Sequence, residues 1–172
     1  MKLTTKKLAL CAVLTALALG LSTLESLFPV SVLVPLPGIK LGLANIVTVF
    51  AVFALGPKDA VLILSARIFL GAVFAGNVST IFYSAAGGAL AIAVTIGLRR
   101  VLTKKQLWVA GALGAVAHSI GQRMMAVLIT STPGLIAYLP VMIAVSIVTG
   151  TFTGLCAQLL VNRGNLWKII SK

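Results

Sequence analysis

The stretch QLWVAGALGAVAHSIGQRMMAVLIT, residues 106–130, is apolar over a membrane-crossing length yet holds His118, Gln122 and Arg123 within two helical turns. An α-helix rises 1.5 Å per residue, so about 20 residues cross the roughly 30 Å hydrocarbon layer. The stretch lacks the period-two alternation of a barrel strand. It therefore reads as a transmembrane helix with a polar patch. Five runs of the same kind accompany it, at roughly 8–28, 39–56, 59–76, 79–98 and 135–161. Proline and glycine separate them, at Pro29, Pro35, Pro37, Gly56-Pro57, Gly76 and Pro133-Gly134. The expected fold is all-α, a bundle of six transmembrane helices forming a single membrane domain over residues 1–172.

Composition agrees. Of 172 residues, 60% are hydrophobic and 9% charged, and the mean hydropathy is +1.15. A water-facing domain is about half apolar and a quarter charged. The same counts exclude several activities. Glu25 and Asp59 are the only acidic residues, so the paired aspartate motifs that hold Mg²⁺-diphosphate in prenyl transfer cannot be assembled. Cys11, Cys156 and the single His118 fall short of a structural zinc site. No GxxxxGK[ST] phosphate loop occurs, so ATP hydrolysis is not expected of this chain. No catalytic residue, metal or cofactor is expected; the reading is not an enzyme.

The net charge of +12 is distributed as membrane orientation requires, not as a nucleic-acid surface. With the N-terminus in the cytoplasm, eleven of the 14 basic residues fall inside: Lys2, Lys6, Lys7, Lys58, Arg99, Arg100, Lys104, Lys105, Arg163, Lys168 and Lys172. Only Lys40 falls outside, and Arg67 and Arg123 lie within spans. This is the positive-inside pattern for both termini cytoplasmic, in a multi-pass protein of a bacterial cytoplasmic membrane. The apolar run before Cys11 is too short for a cleaved signal, which needs about 7–15 residues, so the first helix is expected to stay.

Polar residues within spans are expensive and therefore informative. An arginine near a helix centre costs about 2.5–3.5 kcal/mol, and the large apolar residues between Val61 and Phe74 return roughly 3–5 kcal/mol on the same scale. Arg67 must then face protein or a wet cavity, with Glu25 or a helix-end carbonyl as a structural partner. His118 and Gln122 share a helix face, and Arg123 is displaced by about 100°. With Glu25, Lys40, Asn45 and Asn77 in or near the outer half, these residues predict a polar, net positive recess that opens outward and suits a small organic anion or a polar heterocycle. The proline-rich segment 29–38 is either a connector or a lid over that recess. Ala12, Ala16 and Gly20 recur at four-residue spacing on the first helix, a smooth face for packing inside the bundle or for docking a second membrane protein. Ala110, Gly114, Ala117 and Gly121 on the fifth helix and Gly150 and Gly154 on the sixth predict close internal packing.

At PGIKLGLANI, residues 37–46, and GAVAHSIGQ, residues 114–122, with Arg67 between them, the chain resembles the Gx transporter family. That family is also catalogued as heptaprenyl diphosphate synthase component I. It is similar to the six-helix substrate-binding S components of energy-coupling factor (ECF) importers. The resemblance implies that the outward recess captures a micronutrient or precursor. It further implies that the first helix, through Ala12, Ala16 and Gly20, docks a membrane coupling (T) protein working with two ABC-type ATPase subunits. Two alternatives stay open: a non-catalytic membrane accessory of prenyl diphosphate metabolism, with Arg67, Arg123 and Lys40 on diphosphate, and an autonomous secondary transporter with His118 as proton relay.

Overall fold

The structure, a computed structural model, describes residues 5–27 and 42–163. Among these residues there are six α-helices and no strand: α1 (Thr5–Leu27), α2 (Ala44–Ala54), α3 (Pro57–Ala75), α4 (Ser79–Leu98), α5 (Leu107–Thr130) and α6 (Leu139–Asn162), with a 3₁₀ helix (Pro133–Tyr138) leading into α6. Four stretches are long and apolar enough to cross a membrane: Thr5–Glu25, Ser79–Leu98, Leu107–Thr130 and Pro133–Asn162.

The other two differ from expectation. At 11 residues α2 reaches about 16 Å, half of what a bilayer requires. The apolar run predicted a helix from residue 39, but Gly42 sits at φ +73° and α2 starts only after it. The 19 residues of α3 have the length to span but carry Lys58, Asp59 and Arg67. Local chemistry sets the breaks. Gly56 takes φ +117°, open to glycine alone without strain, and Pro57 opens α3 where its missing N–H costs nothing. Gly76 closes α3 in the left-handed region.

The helices alternate in direction. At one end the Lys7 ammonium of α1 meets Asp59 in the first turn of α3 at 2.7 Å. There too, Gln158 of α6 accepts the Leu107 N–H that opens α5, at 3.1 Å, and Arg99 after α4 lies beside Gly56. Lys6, Lys58, Arg100, Lys104, Lys105 and Arg163 belong to the same termini. At the opposite end, α1 finishes near Glu25 and α2 begins.

Apolar α2 is the hub. Val47, Ala51 and Val52 join Cys11, Leu14 and Ala18 of α1, Ala60, Ile63 and Leu64 of α3 and Ile92 of α4 in one core. Val49 joins Leu107 of α5 and Ala157 of α6 in another. Elsewhere, close approach does what apolar contact cannot do in lipid. A Cβ on Gly150 would come within 2.7 Å of the Ala115 Cβ, one on Gly154 within 2.7 Å of the Trp108 Cα, and one on Gly121 within 2.7 Å of the Ala86 carbonyl oxygen. Gly111 lies backbone to backbone with Gly150 and Gly154. Of the small residues expected to pack closely, Gly150 and Gly154 lie against α5, Gly114 and Gly121 lie against α4, and Ala110 is fully buried.

Candidate functional site

Where α2 stops short of full length, the bundle has space to enclose. A cavity with about 930 Å³ of empty volume, its open mouth included, receives side chains from all six helices. Its lining comes from the last turns of α1 (Ser22, Glu25), the start of α2 (Gly42, Asn45, Thr48) and Arg67 at mid-α3. The middle turns of α4 and α5 and the early and middle turns of α6 complete it, so it lies toward the end opposite the basic cluster.

Glu25 is held by the backbone it helps to order. Its Oε1 accepts the Gly42 N–H at 2.6 Å and its Oε2 accepts the Leu43 N–H at 3.2 Å. A carboxylate here satisfies amides at the start of α2 that have no intrahelical partner and balances the positive end of the helix dipole. Arg67 lies half-buried in the wall, close enough to Glu25 for the two charges to interact. Among the described residues Arg67 forms no hydrogen bond or ion pair. Asn45 also lines the cavity, and its Nδ2 is buried without a hydrogen-bond partner among the described residues.

The facing wall is α5 and α6. His118, Ser119 and Gln122 project from α5, with Ala115 one turn before Ser119. The His118 imidazole occupies the space over Gly87 of α4, where a Cβ would come within 2.9 Å of its Cε1. Ser119 and Ser146, both in the cavity lining, share a hydrogen bond of 2.6 Å that links the two helices. Thr149 and Thr153 return their hydroxyl protons to carbonyls of α6, at 3.0 and 3.1 Å, the usual way a threonine is accommodated in an apolar helix.

Five of the expected residues thus meet in one cavity: Glu25, Asn45, Arg67, His118 and Gln122. Two do not. Arg123, one residue beyond Gln122 and so turned by about 100°, is buried with its guanidinium against the Met142 sulfur, behind the wall that Met142 forms. Asn77 is exposed between α3 and α4, where its side-chain oxygen accepts the Ser79 N–H at 2.9 Å in an Asx turn. Lys40 and the segment 29–38 lie outside the described residues. Among the described residues the recess has one guanidinium and one carboxylate, and Lys40, which enters the expected positive charge, lies outside them.

The hydroxyl groups of Ser22, Thr48, Ser84, Ser119 and Ser146 were not singled out by sequence reasoning. A signal existed for α6: Met142, Ser146, Thr149 and Thr153 recur at spacings of three and four, one helix face. Ala12, Ala16 and Gly20, on α1, are exposed and turned away from this site, while Cys11, Leu14, Thr15 and Ala18 face the bundle.

No curated protein and no solved structure matches the chain. A family model does, over residues 14–160, from the first helix into the last. The chain belongs to the heptaprenyl diphosphate synthase component I family.

Proposed function

We propose that this chain is the substrate-binding membrane component of an importer of the energy-coupling factor type, serving a small anionic micronutrient or precursor. The observation that carries the reading is the polar cavity walled by all six helices and set toward the end opposite the basic residues. Under the positive-inside rule the basic end is cytoplasmic. Both termini are then inside, and the cavity lies toward the exterior. Energy comes from partners, because the chain has no phosphate-binding loop. The exposed small-residue face of α1 is where a coupling protein docks, bringing ABC-type ATPase subunits with it.

The family's description favours a second reading, a non-catalytic membrane accessory of prenyl diphosphate metabolism. A long prenyl chain calls for a continuous apolar groove, whereas hydroxyls, amides and two opposite charges interrupt the apolar lining of Leu64, Met142 and Val145 in this cavity. An accessory role would therefore use the outer surface.

Native mass spectrometry of gently extracted full-length protein tests the choice. A bound polar solute that is lost in Arg67→Ala, together with coupling and ATPase subunits in the same preparation, is the expected result. A bound prenyl lipid in place of that solute overturns it, as does solute accumulation in liposomes containing this chain alone.

A further inference from the structure

The wall made by α2 and α3 holds more hydrogen-bond donors than it has acceptors. The Asn45 Nδ2 is buried without a partner, and Arg67 makes no hydrogen bond or ion pair, among the described residues. Glu25 does not supply the missing acceptor: its oxygens take the N–H groups of Gly42 and Leu43, and neither accepts a bond from Arg67 or Asn45. The only other acid in the chain, Asp59, is at the far end with Lys7. Buried donors are almost always satisfied, so an occupant of the cavity supplies an acceptor for the Asn45 Nδ2 and a counter-charge for the half-buried Arg67.

Charge decides which acceptor. Among the described residues Arg67 and Glu25 cancel in formal charge, and the start of α2 adds roughly half a positive charge. One negative charge on the ligand brings the cavity close to balance. A dianion leaves it with more than one uncompensated negative charge in a weakly polar interior, where such charge is strongly disfavoured. A guanidinium also matches the planar fork of a carboxylate through two parallel bonds.

We infer that the cavity binds a small solute through a single carboxylate, held by Arg67 and Asn45, and excludes phosphate and diphosphate esters. The inference rests on the solute-binding reading above. The hydroxyl and amide groups of Ser119, Ser146 and Gln122 on the facing wall receive the polar body of that solute. No Phe, Tyr or Trp side chain lines the cavity among the described residues.

The test uses the full-length chain in phosphatidylcholine nanodiscs, with phenylglyoxal modification of Arg67 followed by peptide mass spectrometry. Arg99, at the basic end, is the internal control. Three size-matched probes are compared at equal concentration: gluconate, sorbitol phosphate and sorbitol. The expected result is a several-fold slowing at Arg67 by gluconate alone, with Arg99 unchanged. In Glu25→Gln, which raises the cavity charge by one, sorbitol phosphate should protect as well. Equal or stronger protection of the wild type by sorbitol phosphate overturns the carboxylate assignment while leaving the solute site standing. Continued exclusion of sorbitol phosphate by Glu25→Gln overturns charge as the selector. Absence of protection by every probe overturns the site at Arg67, and with it the reading on which the inference rests.

Discussion

Arg67 and Glu25 are both charged, both within apolar helices and both at the cavity, yet they do different work. Glu25 answers two backbone amides and fastens the end of α1 to the start of α2. Glu25→Ala should therefore cost about 1.5–3 kcal/mol, the range for hydrogen bonds to a charged group, read from denaturant unfolding in mixed micelles. Arg67 donates to nothing among the described residues and bears the cost of a cation in the membrane. Arg67→Ala should leave the unfolding midpoint unchanged or raised while abolishing solute retention. A lowered midpoint equal to that of Glu25→Ala would make Arg67 structural. Gly87 works through space: a Cβ there runs into the His118 ring and carbonyl. Gly87→Ala should weaken solute retention through a displaced imidazole. Normal retention in that variant would remove His118 from the binding wall.

At the scale of the helix, two stripes of small residues have opposite fates. On α5 and α6, Gly111, Gly150 and Gly154 are where two backbones touch. Gly150→Val should destabilise by about 1–3 kcal/mol or more through overpacking, whereas Gly134→Ala, with open space around its Cβ position, should be close to neutral in the same unfolding assay. On α1, Ala12, Ala16 and Gly20 face away from the bundle. Ala12→Leu with Ala16→Leu should change stability by no more than about 0.5 kcal/mol, the usual range for exposed sites, and should eliminate co-purification of coupling and ATPase subunits. Retained assembly would move the docking face elsewhere. Spacing alone could not separate these stripes, because four-residue repeats look the same whether or not a second helix lies against them.

For the molecule as a whole, the question is which end faces the cytoplasm. Lys6, Lys7, Lys58, Arg99, Arg100, Lys104, Lys105 and Arg163 gather at one end, and the cavity lies toward the other. Asn77 is exposed at the cavity end and Lys104 at the basic end. In a Cys156→Ser background, whose remaining Cys11 is buried, Asn77→Cys should react with a membrane-impermeant maleimide in intact cells. Lys104→Cys should react only after permeabilisation. The reverse pattern would invert the protein and turn the cavity inward.

Much of this architecture was legible in the amino-acid order. Apolar length and proline–glycine punctuation located α4 at 79–98, as observed, and α5 within a residue, because helix formation in lipid depends on local composition and on saturating backbone hydrogen bonds within each segment. The gathering of basic residues at one end followed from alternating helix direction, itself a consequence of short connections. Three matters depended on tertiary contact. The length of α2 depends on Gly42 and on the Glu25 carboxylate that meets its first amides, a contact made across seventeen residues of chain. The exclusion of Arg123 in favour of Gln122 turns on which side of α5 meets α6, since neighbouring residues on a helix differ by about 100°. Among the described residues the cavity's charges balance because Arg67 and Glu25 both line it while Lys7 takes Asp59 elsewhere. Composition counts charges, but only packing decides which of them share a low-dielectric space.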